Sequence, residues 1–312
     1  MGMLIGHHRP REMFLEALSG GRLHHAWLIT GPRGIGKRRF ADWAALKLLS
    51  GSPGIEDTPA AEPAAALVGA GSHPDHRVLA PPTEGRGSAT SSIIIDQIRE
   101  MGDFLHSYPA IADWRTLIVD SIDDMNPSTA NAFLKELEEP RQKTVYLLVS
   151  HSPARLLPTI RSRCRPLRLL ALSDAETREV LLGEAHGLSE ADMAQLTALA
   201  RGAPGSVSDL AGADFAGLER AIDRVVTGGD ALPLVHSVQP KAAGPRFQAL
   251  LALAPRRLAQ LARINPDPRL LDLYAEAEAL SQSAVPLAYD RGQVAMALSD
   301  IMARAGRIQG PS

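Results

Sequence analysis

Apolar and polar positions change their spacing along the chain. Residues 1–50 read as helix, strand, glycine loop and helix, with the apolar run His25–Thr30 as the strand and a helix from about Arg38 to Leu49. Residues 51–92 are rich in Gly, Pro, Ala and Ser with weak periodicity, and read as an elaborated surface connection that includes a short strand at Arg77–Leu79. From Ile93 to Leu170, helical and strand patterns alternate: Arg115–Asp120 and Val145–Ser150 are aliphatic and β-branched runs. Between them Asn126 can cap a helix, Pro127 suits its first position and Pro140 ends it, with Ala130, Phe133, Leu134 and Leu137 as the buried stripe. Beyond Leu170 there is no strand pattern, only helical segments broken by Gly and Pro, and Gly228–Pro233 and Gln239–Pro245 read as linkers. In Asp290–Ile308, Val294, Leu298 and Ile301 recur at three to four residues; that face serves either packing within its own domain or contact with another subunit.

At 312 residues the chain suggests two domains or three small ones. Lys+Arg 33 against Asp+Glu 35 leaves a net charge of −2, which argues against a basic nucleic-acid coat and against an acidic tail. The hydrophobic share, 45%, is that of an ordinary globular protein, and aromatics at 4% favour packed helices over a β-sandwich. No apolar run reaches the ~18 residues that span a bilayer, and the leading MGMLIGHHRP lacks the apolar core of a signal peptide. A cytoplasmic protein without membrane partners is expected. Cys164 is the one cysteine, so neither an internal disulfide framework nor a zinc site of several thiolates can be built, and this residue reads as a small core side chain.

The chemistry concentrates after the first strand. His25–Thr30 runs into Gly31-Pro-Arg-Gly-Ile-Gly-Lys37 and then a helix, the context that a phosphate-binding loop requires. Gly31, Gly34 and Gly36 let the backbone turn its N–H groups towards a polyphosphate, the helix N-terminus adds partial positive charge, and Lys37 reaches the outer phosphates. The motif calls for Ser or Thr next, whose hydroxyl ligates Mg²⁺. Here Arg38 stands there, and a cation opposes the metal.

Asp120, at the end of an apolar strand, is placed as the metal-side carboxylate of P-loop ATPases. The following Glu that many such enzymes use to polarise water is Ser121, and Asp123 and Asp124 read better as solvated acids opening the next helix than as a general base. Glu138 and Glu139 crowd a helix C-terminus, where the dipole disfavours them, which a use elsewhere or a local salt bridge would explain. Arg161, Arg163 and Arg165 converge at the start of a new strand, as a solvated basic edge or with one of them an arginine finger for a neighbour's γ-phosphate. His73, Asp75 and His76 read as a turn rather than a metal site, and His24 and His25 as structural or surface residues.

GPRGIGK, HPDHRVLAP, NAFLKELEEP and LLPTIRSRC, in this order, resemble the subunits of the bacterial DNA polymerase III clamp loader, the delta-prime kind more closely than the ATP-hydrolysing gamma/tau kind. The resemblance is dense over residues 5–170 and loose beyond. It implies an α/β P-loop (AAA+) domain with a parallel sheet over 1–170, a small helical lid over 171–212 and an all-α C-terminal collar over 213–312. It implies a hetero-oligomeric ring with gamma/tau and delta subunits that loads the sliding clamp on primed DNA as part of a DNA-directed DNA polymerase holoenzyme, a nucleotidyltransferase complex. It gives Arg163, in the Ser-Arg-Cys triplet, the role of arginine finger in trans. The lid arginine of active subunits is absent from Arg201–Val207, where Ser206 and Val207 stand at its place. With Arg38 and Ser121, that implies a subunit without independent ATPase activity, while Gly31, Gly34, Gly36, Lys37 and Asp120 form a degenerate nucleotide site for weak ATP or ADP binding. An active gamma/tau-like motor is the alternative. The four-cysteine zinc module of many relatives is replaced by GSPGIEDTPAAEPAAALVGAGS, so no zinc is expected.

Overall fold

The computed structural model describes residues 3–52, 54, 56–59, 62–81, 92–102, 104, 107–184, 188–210 and 213–309. The chain divides into two compact units, residues 1–176 and 177–312.

The first unit is built on a five-stranded parallel sheet in the order β2-β3-β4-β1-β5. Its strands are β1 (Ala26–Thr30), β2 (His76–Leu79), β3 (Arg115–Asp120), β4 (Thr144–Ser150) and β5 (Arg165–Arg168). Its helices are α1 (His8–Ser19), α2 (Lys37–Ser50), α3 (Pro63–Gly69), α4 (Ile95–Glu100), α5 (Pro127–Glu138) and α6 (Pro158–Ser162). The central strands are buried on both sides and are continuous apolar runs rather than alternating ones: all seven residues of β4 are buried. Successive residues of β1 face opposite layers. Ala26 and Leu28 join the α5 layer, where Phe133 meets Tyr146 edge to face at 5.6 Å. Trp27 faces Phe14 at 5.1 Å, and Phe14 in turn meets Trp43 of α2 at 6.0 Å.

Asn126 caps α5 by accepting from the Thr129 N–H at 2.9 Å, with Pro127 following. Phe133, Leu137 and Ala130 are buried as the periodicity requires, while Leu134 is half-buried and Thr129 joins the inner face. The reading of 51–92 as surface connection needs correction in part. The strand read at Arg77–Leu79 is β2, which pairs with β3, but the described part also contains α3, whose Ala64 and Val68 pack on Leu46 and Leu49 of α2. Ala-rich spacing over seven residues is too short to show helical periodicity. Residues 53, 55, 60, 61 and 82–91 of that segment lie outside the described residues.

The second unit is helical among its described residues. Helix α7 (Asp174–Glu184) carries the chain into it, followed by α8 (Glu190–Ala200), α9 (Phe215–Val226), α10 (Leu232–Val238), α11 (Gly244–Ile264), α12 (Pro268–Ala284) and α13 (Arg291–Gln309). One apolar core runs from Leu181 to Ala305. Val294, Leu298 and Ile301 of α13 are all buried in it, so the face left open between domain packing and subunit contact is spent inside the unit. No helix among the described residues is long and apolar enough to cross a membrane.

Candidate functional site: a P-loop closed by an arginine

The carboxyl ends of β1, β4 and β3 lie side by side. Thr30 is opposite Ser150 and Asp120 opposite Val149, which sets the loop after β1 beside the acid after β3. The crevice beyond these strand ends is where open α/β sheets hold their ligands. The loop glycines sit at φ +150°, +78° and +97° for Gly31, Gly34 and Gly36. A Cβ on Gly31 would come within 2.8 Å of the Leu169 carbonyl oxygen. Gly36 is the residue from which α2 starts.

Lys37 is buried, and its Nζ donates to the carbonyls of Gly31 at 2.8 Å and Pro32 at 2.7 Å. Burial lowers its pKa to about 8, against the upward pull of Asp123 and Asp120. The ammonium is thus folded over its own loop.

Arg38 accounts for the rest of the site. Its Nε donates to Asp42 Oδ1 at 2.9 Å, one turn along α2, and its Nη1 to Asp120 Oδ2 at 3.5 Å. The carboxylate that P-loop enzymes turn to the metal is therefore paired with a guanidinium from the residue that should have supplied the metal's hydroxyl ligand. Burial raises the Asp42 pKa, opposed by Arg38. The fold implies Mg²⁺ here, and these residues do not fit it. Arg38 stands where the metal's hydroxyl ligand belongs and takes up an oxygen of the Asp120 carboxylate, so neither protein ligand is offered to the ion.

Asp123 is not a solvated turn acid. It accepts from Ser150 Oγ at 2.9 Å and from the His151 N–H, tying the 3₁₀ turn Ile122–Asp124 to the end of β4. Asp124 accepts from Ser121 Oγ at 3.0 Å. His151 stands in the same neighbourhood, its pKa lowered by burial and then by Lys37 and Arg33. Sequence reasoning passed over it, and equally over His7. Nε2 of His7 donates to the Ile35 carbonyl of the P-loop at 2.9 Å, with its backbone at φ +55°. Before His7, Gly6 is at φ +71°, and a Cβ there would lie 2.6 Å from Leu172 Cδ2; neither fact can be read from the sequence.

The three arginines before and in β5 do not converge. Arg161 is exposed. Arg165 stacks over Trp27 with 4.8 Å to the ring centroid. Arg163 donates through Nη1 to the Thr159 carbonyl at 3.0 Å and pairs through Nη2 with Glu138 Oε1 at 2.8 Å. That pair explains the acid at the end of α5. Cys164 is buried, and burial pushes its thiol up to about 12, so it is a core residue without thiolate character at neutral pH.

His73, Asp75 and His76 form a structural clip. Asp75 accepts the backbone N–H groups of Ala110, Ile111 and Ala112 at 2.6, 2.8 and 2.9 Å. Burial alone would raise its pKa; these three bonds outweigh burial and lower it. His76 Nδ1 bonds Thr116 Oγ1 at 2.8 Å, and His73 Nδ1 accepts from the Asp75 N–H. His24 and His25 stack on each other at 4.4 Å.

Residues 6–173 match the model of the family described as DNA polymerase III, delta subunit. Over 157 residues the chain is 40% identical to the DNA polymerase III subunit delta' of Pseudomonas aeruginosa, covering 50% of this chain and 46% of that relative. It is 32% identical over 215 residues to the DNA polymerase III subunit tau of Escherichia coli, covering 66% of this chain and 31% of that one. Among solved structures, a DNA polymerase III gamma subunit-related protein of Thermotoga maritima is similar at 21% identity and a TM-score of 0.46, covering 94% of this chain and 100% of that one. The chain thus spans about half or less of the length of the curated relatives just given.

Proposed function

The chain belongs to the DNA polymerase III delta subunit family, and from that membership we propose that it is a clamp-loader subunit of the replicative holoenzyme that does not itself turn over ATP. The observation that carries the second half of this reading is the Arg38–Asp120 pair, which puts a fixed cation on the carboxylate a hydrolytic metal would need. Ser121 stands where the water-polarising Glu would be, and both oxygens of Asp123 are taken by Ser150 and His151, which supports the non-hydrolysing reading.

In this reading the subunit joins gamma/tau and delta subunits in a ring that places the sliding clamp on primed DNA in the cytoplasm. Residues 1–170 serve as the nucleotide-binding fold, 171–212 as lid and 213–312 as collar. Arg163, half exposed and held by Glu138, is the side chain offered to ATP on a neighbouring subunit. The similarity to tau favours the second reading, an active motor, and Arg38 opposes it.

Two measurements test the proposal. The isolated chain should show no ATP turnover above background, and it should co-elute with gamma/tau and delta subunits. Steady turnover that disappears on Lys37→Ala would establish the motor instead. Failure to enter the ring would remove the loader assignment.

A further inference from the structure

P-loop sites ordinarily take nucleotide as its Mg²⁺ complex, the metal bridging phosphate oxygens and the loop hydroxyl. This chain keeps the glycine loop and its lysine and sets a guanidinium on the carboxylate that would face the metal. We propose that the site binds the polyphosphate of a metal-free nucleotide, with the Arg38 guanidinium as the counter-cation that Mg²⁺ supplies elsewhere. The inference rests on the reading of the chain as a non-hydrolysing P-loop subunit and names the form of the ligand that such a subunit takes.

Three observations support it. The loop backbone is kept: Gly31, Gly34 and Gly36 hold positive φ values that glycine takes up readily, and α2 begins directly behind them. Lys37 is in place and buried, its ammonium held by two loop carbonyls, neutral acceptors that a phosphate oxygen can replace with a charged one. Arg38 is anchored by Asp42 through Nε and by Asp120 through Nη1, and a guanidinium carries five N–H donors, so donors remain for a phosphate oxygen while the anchors hold.

The chemistry then favours holding over cleavage. A guanidinium neutralises phosphate charge through hydrogen bonds and contributes one positive charge, whereas Mg²⁺ contributes two and coordinates oxygen directly. A metal-bound nucleotide entering the site would bring its ion against Arg38. Binding of nucleotide and binding of metal are therefore coupled with negative sign.

The test is ADP binding to the full-length chain by isothermal titration calorimetry, in EDTA and in excess MgCl₂. ADP should bind in EDTA, and excess Mg²⁺ should weaken the apparent affinity by about tenfold or more, within the range ordinary for two coupled ligands. Arg38→Thr, which restores the hydroxyl and removes the cation, should reverse the preference, with its melting temperature reporting that it is folded. Equal or tighter binding by wild type in Mg²⁺ would overturn the inference. So would the absence of ADP binding in both conditions, a result that leaves the subunit assignment, read by ring entry, untouched.

Discussion

Replacing Arg163 by Ala separates two roles by their size. In the fold, Arg163 makes one ion pair to Glu138 at 2.8 Å and one bond to the Thr159 carbonyl at 3.0 Å, with the two paired side chains 35% and 47% exposed. An ion pair that open to water contributes about 0.2–1 kcal/mol. The solvent-exposed carbonyl bond adds about 0.5–1.5 kcal/mol. Their loss should lower Tm by a few degrees, at roughly 2–4 °C per kcal/mol for a unit of this size. An arginine finger acts on another scale, about 10³–10⁵ in kcat at the site it serves. With several ATP sites in a ring, Arg163→Ala should leave assembly nearly intact while the site facing it falls silent and clamp loading drops. Arg163→Lys should rescue poorly, because a point charge lacks the planar fork. Glu138→Gln frees Arg163 and should reproduce the small stability loss without the loss of loading. Exposed Arg161 and the Trp27-stacked Arg165 provide comparison substitutions that should leave loading in place. The assays are clamp- and DNA-stimulated ATPase, clamp loading and thermal melting on the same proteins. Normal loading by an Arg163→Ala ring would refute the reasoning, and so would a large drop in Tm with loss of assembly.

Two further outcomes follow from the packing. The pKa of His76 is lowered to about 4, first by burial and then by Arg38, His73 and Arg77, from an ordinary 6.5. Between those values the unfolded chain binds a proton that the folded chain refuses, so stability is full above pH 6.5 and falls as pH drops towards 4, by up to about 3 kcal/mol from this group. Urea unfolding across that window should flatten in His76→Gln, without becoming flat because His7, His25, His73 and His151 shift the same way; an unchanged slope would contradict it. Residues 1–176 should melt cooperatively as a fragment, whereas 1–212 would carry Leu181, Met193, Leu196 and Val207 without the Phe215–Ala305 part of their shared core and should bind an apolar dye. A 1–212 fragment that bound no more dye than 1–176 would refute that.

The local devices of this chain were legible in its residues. The strand–glycine loop–helix of 26–50, the Asn126 cap and the apolar strands at Arg115 and Val145 depend on neighbours a few positions away, and so on order alone. Arg38 could be read the same way, as a cation where a hydroxyl belongs. Its partner could not: Asp120 lies 82 residues away, and only the β3-β4-β1 order brings the two carboxyl ends together. Asp123 looked solvated because its acceptors' partners, Ser150 and His151, sit at the end of a different strand. The arginines at 161, 163 and 165 looked like one cluster because they are close in number. A helix turn and a strand send them three ways, to water, to Glu138 and to Trp27. The amphipathic stripe of α13 announced that a face would be buried, and hydrophobicity carries no address for what buries it. Sequence order sets which groups are present and how each short segment curls; the partner of a long charged or apolar side chain is chosen by the packing of distant elements, which no local pattern encodes.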